Sequence, residues 1–267
     1  MAEPLFALLQ TSQEPIDPAV LRDVFIRDAG MPKIDAARAS QKIRGILAER
    51  LTQSQAERCR ASLVRQGIFT IVLPVEQLVP PSRPILVHWL GVNNDGLFVP
   101  TDYYGGGDTI PWASVFVVSS GLVKTEVEER KATEVVEHYG HHQVTSTEWK
   151  TVRKEHPQHV TEILGLNEVG QTMHFRLIAK RLHAQQVPHG GASAANFEKY
   201  LLLLDDIVAG ATQAKISPQT RQILAERREV PREVEGKKDY FFDERSFAAY
   251  NRWLLTLVIL EERGTAG

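Results

Sequence analysis

The sequence predicts an α+β protein: a small β-α-α-β-α-β module at the N-terminus, then an antiparallel-sheet module closed by C-terminal helices. Three observations carry this expectation. Residues 1–78 hold three short helical stretches, each punctuated by a cap and a glycine and set between apolar strand runs. Residues 79–84 hold three prolines in six positions. Residues 85–267 hold several strand-like runs that give way to two apolar helices.

In the first module Leu5-Phe6-Ala7-Leu8-Leu9 is a strand. Asp17 caps a helix that has Pro18 at its first position and buries Val20, Leu21, Val24 and Phe25. Gly30-Met31-Pro32 stops it. Asp35 opens a second helix with Ala36, Ala39 and Ile43 on one face, ended by Gly45, and Ile46-Leu47-Ala48 forms a brief strand. Thr52 and Gln55 have the spacing of a capping box for a third helix, whose buried stripe is Ala56, Cys59, Leu63 and Val64. Gly67 ends that helix, and Phe69–Leu73 is the clearest strand of the module. The strands are expected to pair into one sheet with helices on one face.

Val79-Pro80-Pro81-Ser82-Arg83-Pro84 reads as an extended connector, because proline fixes φ and lacks an N–H. In the second module Ile85–Leu90 and Leu97–Val99 read as strands about the turn Asn93-Asn94-Asp95-Gly96. Tyr103–Asp108 reads as a glycine-rich loop and Val115–Val118 as a strand. Val160–Leu166 and Met173–Ala179 are expected to pair about Glu168-Val169-Gly170. A helix starts at Asn196 with Phe197, Tyr200, Leu201 and Leu204 on its apolar side. A last helix runs from Ser246 to Glu262, apolar on so much of its circumference that it is expected to be buried between the second module's sheet and either the Asn196–Ala209 helix or a partner chain.

Two stretches resemble known families. The run from Asp35-Ala36-Ala37-Arg38 through Gly45-Ile46-Leu47, Thr52-Gln53-Ser54-Gln55-Ala56-Glu57 and Leu63–Leu73 resembles the C-terminal domain of the ribosomal stalk protein, a fold shared with the adaptor of the Clp protease. That resemblance implies a small protein-docking fold. It places Arg27, Lys33, Arg38 and Lys42 in the zone where the stalk family contacts its partners, although Pro32 departs from the family's glycine- and lysine-rich turn. The phrase from Gly96-Leu97-Phe98 to Ile110-Pro111-Trp112-Ala113-Ser114-Val115 resembles bacterial pleckstrin-homology-like domains, which implies a sheet closed by a C-terminal helix.

Composition narrows the function classes. The 267 residues carry a net charge of −2, which argues against a basic protein that coats nucleic acid. One cysteine, Cys59, rules out an intramolecular disulfide framework. Residues 1–6 do not read as a secretory signal, and the longest apolar run, Trp253–Leu260, falls well short of the ~20 residues of a membrane span, so the expected location is cytoplasmic.

Chemistry-bearing patterns are few. His138, His141, His142, His156 and His159 gather in one polar segment, and the i, i+3 spacing of the last two would suit metal ligation on a helix, with Glu134, Glu137 and Glu155 as further donors; against this, Gly140 interrupts the segment and it lacks a helical stripe. Gly105-Gly106-Gly107 lacks the following helix and lysine of a phosphate loop. No nucleophile elbow is present, nothing in sequence identifies a base for Ser119 or Ser120, and Asp205 and Asp206 diverge by about 100° on a helix. The sequence therefore predicts a non-enzymatic protein-interaction or scaffold protein with an unknown protein partner, no cofactor and no nucleic acid. The alternatives are a membrane-surface or lipid-binding protein, disfavoured by the absence of Lys and Arg from 85–118, and a metal-binding sensor or metalloenzyme on the histidines.

Overall fold

The computed structural model describes residues 4–41, 45–100, 106–139, 142–182, 196–227 and 243–264; along 125–148 and 150–156 and at residue 196 it describes the backbone. The first module has the expected order: β1 (Phe6–Gln10), α1 (Pro18–Arg27), α2 (Lys33–Ala39), β2 (Ile46–Leu51), α3 (Gln53–Val64) and β3 (Thr70–Pro74). Asp17 caps α1 by accepting from the Ala19 N–H. Thr52 and Gln55 close the predicted capping box, the Thr52 N–H reaching Gln55 Oε1 at 2.9 Å. The strands form one antiparallel sheet in the order β2-β1-β3, so Phe6–Gln10 and Thr70–Pro74 are direct neighbours.

The second module is built on β4 (Ile85–Val87), β5 (Gly91–Val92), β6 (Gly96–Pro100), β7 (Gly107–Pro111), β8 (Val115–Tyr139), β9 (His142–Leu166), β10 (Thr172–Ile178) and β11 (Lys215–Ile216), with α4 (Asn196–Gly210), α5 (Pro218–Glu226) and α6 (Glu244–Glu262). A five-stranded sheet runs β11-β8-β9-β10-β4, and β5-β6-β7 form a three-stranded sheet. The predicted hairpin about residues 93–96 is thus shorter than expected. Gly91–Val92 pairs with β6, while Ile85–Val87 joins β10 in parallel register. A Cβ on residue 91 would lie 3.1 Å from that of Phe98, a tight contact that the bare backbone of Gly91 avoids.

Strand alternation sorts the large sheet into two faces. Val118, Ile163, Phe175 and Leu177 pack with Tyr200, Leu204 and Ile207 of α4. Val117 and Leu164 point to the other face, onto α6. The first module's sheet is likewise two-sided. Leu8 and Leu47 pack with Leu21, Phe25, Ala56 and Leu63 from its helices, whereas Ala7, Leu9, Ile46 and Leu73 meet Trp253, Leu254 and Leu257 of α6.

Helix α6 is therefore buried as its sequence requires, but its second wall is not the helix at residue 196. It lies between the two sheets. Trp253 is fully buried, its indole N–H donates to the Gln10 carbonyl at 2.7 Å, and its ring packs over the bare backbone of Gly45, which has φ +98°. The proline connector is extended yet fastened: Leu78 and Val79 are buried, the Val79 N–H donates to Thr256 Oγ1, and Arg252 Nε donates to the Val79 carbonyl at 2.6 Å.

Segment 124–159, read from sequence as a polar stretch without helical periodicity, is part of a two-stranded ribbon. β8 and β9 stay in antiparallel register to Tyr139↔His142. Among the described residues, neighbouring strands reach only its base, β11 at Val117–Val118 and β10 along Val160–Leu166.

Candidate functional site

Among the described residues, buried charge concentrates where the large sheet faces α6. Glu162 stands in β9 between Thr161 and Ile163, and its carboxylate points to the α6 side, fully buried. On β10, Arg176 is its direct register partner and His174 sits two residues earlier on the same face. Arg176 donates to Glu162 Oε1 through both Nε at 2.9 Å and Nη2 at 2.5 Å, so one oxygen takes two charge-assisted bonds. Asn251 of α6 donates to Oε2 at 2.5 Å. His174 Nε2 lies 2.9 Å from the same oxygen; its N–H is off the line to the acceptor, so this contact is a bent, mainly electrostatic one. Burial by itself would drive the Glu162 carboxyl up, but His174 and Arg176 reverse this and hold it below the usual carboxylate range. Arg176 also reaches Glu244 at the start of α6, 3.3 Å away.

The other face of His174 looks outward. Its Nδ1 is 2.8 Å from Ser82 Oγ on the proline connector. With Nε2 turned toward an anion, the proton belongs on Nε2, so Nδ1 is the acceptor and Ser82 the donor. Ser82 and His174 line a groove of about 280 Å³ between the connector and α6. Leu164, Leu255, Ala248, Ala249, Pro80 and Pro81 give it apolar walls, and Arg245 and Arg252 bring cations. Arg252 is engaged by Glu49 at 3.1 Å and by the Val79 carbonyl. Arg245 is exposed and has no ion pair among the described residues.

A second polar cluster sits on the α4 side. Tyr200 Oη, Thr161 Oγ1 and Ser120 Oγ form a buried chain with steps of 2.7 and 2.8 Å, and burial pushes the Tyr200 hydroxyl up to about 12. His159 packs 4.8 Å from the Phe197 ring, with both ring nitrogens lacking a partner among the described residues; burial drives it down to about 4.

The residues singled out from sequence lie elsewhere. Arg27 ends α1 and pairs with Asp28 at 2.9 Å; Lys33 opens α2 and Arg38 lies in its last turn, both exposed; Lys42 falls outside the described residues. Of the five histidines, His141 is also outside. His138 and His142 sit at the tip of the ribbon, while His156 and His159 sit some fourteen residues further along β9, about 45 Å away at ~3.3 Å per residue. In a strand, i and i+3 point to opposite faces, so the spacing of His156 and His159 does not converge as it would on a helix. Among the described residues no group of three or more His, Cys, Asp or Glu side chains is placed to hold a metal, and no helix is long and apolar enough to cross a membrane. Cys59 is fully buried on α3, and burial, with Asp28 next in importance, pushes its thiol up to about 12, as for a packed core side chain. Asp205 is taken up by an ion pair with Arg227.

Sequence reasoning missed the Glu162 network and Ser82. One signal was available: once Val160–Leu166 and Met173–Ala179 are paired about residues 168–170, Glu162 and Arg176 fall opposite each other. Asn251 was a second signal, a polar residue inside the apolar stripe of α6. Ser82 could not be placed from sequence, because its partner is 92 residues away. No family model, no curated protein and no solved structure matches this chain.

Proposed function

We propose that this chain is a protein-interaction or scaffold protein, and that it joins a second copy of itself through the β8–β9 ribbon. The observation that carries this reading is the ribbon's length beyond the sheet. From Lys124↔Pro157 to Tyr139↔His142 it runs on with no third strand among the described residues. At ~3.3 Å per residue that is about 50 Å of two-stranded sheet. A lone two-stranded ribbon is marginally stable in water, so a chain that keeps this register gains by covering it.

Two features favour a second copy as the cover. Residues 124–139 contain three Lys and Arg against five Glu, and residues 142–157 contain three against two, so one strand is acidic and the other basic. Two ribbons stacked about a twofold axis parallel to their strands lay the acidic strand of one over the basic strand of the other. Trp149, opposite Ala132 in the register, is 67% exposed, and exposed tryptophans are common anchors of interfaces. One ribbon face of about 500 Å² plus an edge approaches the ~800 Å² per partner of a standard interface.

Sedimentation velocity across a concentration series tests this. The full chain is expected to be a dimer that weakens at least tenfold with Trp149→Ala. A monomer at every concentration, or a dimer indifferent to the ribbon, would overturn the reading.

A further inference from the structure

We propose that Ser82 is a nucleophile activated by His174, and that the junction groove takes an ester with a small apolar acyl group bearing an anionic end. This goes beyond the interaction reading and does not depend on the ribbon.

The geometry supplies the parts of a nucleophile relay, with a bent second step. Ser82 Oγ lies 2.8 Å from His174 Nδ1, and His174 Nε2 lies 2.9 Å from Glu162 Oε2. The relay runs from a groove-lining hydroxyl, through a buried imidazole, to a fully buried carboxylate. The nearby carboxylate favours the tautomer with the proton on Nε2, which leaves Nδ1 to accept, and it is itself held by Arg176 and Asn251. The imidazole is buried, and its backbone is held in the hydrogen-bonded strand β10.

The groove describes the substrate. Its volume of about 280 Å³ is room for a short acyl chain. Its walls of Leu164, Leu255 and the connector prolines suit an apolar chain. Arg245, without an ion pair among the described residues, suits a carboxylate on the substrate, and Arg252 is a second cation lining the groove.

In the step, Ser82 Oγ bonds to the ester carbonyl carbon as its proton passes to His174 Nδ1. The tetrahedral adduct collapses, the C–O bond to the alcohol breaks, and the departing alkoxide takes the proton from His174. Water then attacks the acyl-serine with His174 again holding the proton, which releases the carboxylic acid and restores the Ser82 hydroxyl. Glu162 touches no reacting atom and is a positioning residue.

The intact chain would be incubated with an alkyl fluorophosphonate, digested, and mapped by mass spectrometry. The expected result is one adduct on Ser82, absent in Ser82→Ala and formed about 100-fold more slowly in His174→Ala. Glu162→Gln should shift the pH profile of labelling, which a purely structural role would not do. In parallel, 4-nitrophenyl succinate should be cleaved faster than 4-nitrophenyl acetate, a preference lost in Arg245→Ala. Wild-type protein that melts cooperatively and carries no adduct on Ser82 would overturn the proposal whatever the variants do, as would an adduct formed at the same rate without His174.

Discussion

Replacing Arg176 by methionine removes the cation that faces Glu162 while keeping a similar side-chain length. Glu162 is fully buried and takes two donors from this one guanidinium, at 2.9 and 2.5 Å. Its remaining donors, Asn251 and the bent His174 contact, both reach the other oxygen. Removing one partner of a buried pair typically costs about 3–5 kcal/mol because the survivor is left desolvated. At the full burial of Glu162 the upper half of that range is expected at pH 7, a large fraction of a typical ~5–15 kcal/mol. The sign of the pH dependence follows from the same groups. In the native protein the Glu162 pKa is depressed, so its contribution is present above the unfolded value of ~4.3 and is lost as pH falls through the folded value. In Arg176→Met the carboxyl loses one of the two groups that hold it down and rises, so the gap between variant and wild type should narrow as pH falls from 7 to 5. The double variant Glu162→Leu/Arg176→Met should recover at least about 1 kcal/mol of the loss. Urea denaturation followed by circular dichroism at both pH values measures all of this. A loss below about 1 kcal/mol in Arg176→Met, or a gap that widens on acidification, would refute the account of this network.

Trp253→Ala should cost about 3–5 kcal/mol and should lower the unfolding midpoint of both modules together, because the ring is buried in a core drawn from both sheets; hydrogen exchange resolves whether β1 and β9 lose protection in step. Native Cys59 should resist iodoacetamide at pH 8 and react freely once unfolded, since its thiol is pushed up to about 12; alkylation of the folded protein at the rate of a free thiol would contradict this. His159→Phe should flatten the loss of stability on acidification. The folded pKa of about 4 lies below the unfolded ~6.5, so the neutral ring's contribution is present above ~6.5 and drains away as pH falls toward 4. Thermal melts at pH 7 and pH 4.5 compare the two, and a variant whose melt shifts with acid as much as the wild type would count against the burial of a neutral imidazole.

The first module was legible because its elements carry their own punctuation. Asp17 with Pro18, Thr52 with Gln55, and glycines at positive φ at residues 30, 45 and 67 act within a few residues of themselves. The ribbon was not legible, because β-branched and charged residues along 124–139 and 142–157 pair across strands whose partner lies up to 33 positions away, and the histidines there invite a helical test that a strand fails. The burial of α6 was readable from its circumference, whereas its second wall was not: nothing local in Ala7, Leu9 or Ile46 says that the back of their sheet waits for a helix more than 190 residues later. The junction site lies at the far end of the same scale. Its register pair, Glu162 and Arg176, could be computed from one turn, but Ser82 becomes a partner of His174 only once α6 has pinned the connector through Thr256 and Arg252.

The self-association reading is tested most directly by removing the ribbon without touching the body. Val123 and Gln158 face each other in the register, so residues 124–157 can be replaced by an Asn-Gly turn that closes the shortened hairpin. The body keeps every strand pairing of β10, β11 and β4, and its melting temperature should be unchanged. Analytical ultracentrifugation of the full chain and the shortened one, at matched concentrations, gives the result. The account predicts a dimer for the first and a monomer for the second. A full chain that sediments as a monomer, or a shortened chain that remains a dimer, would contradict it.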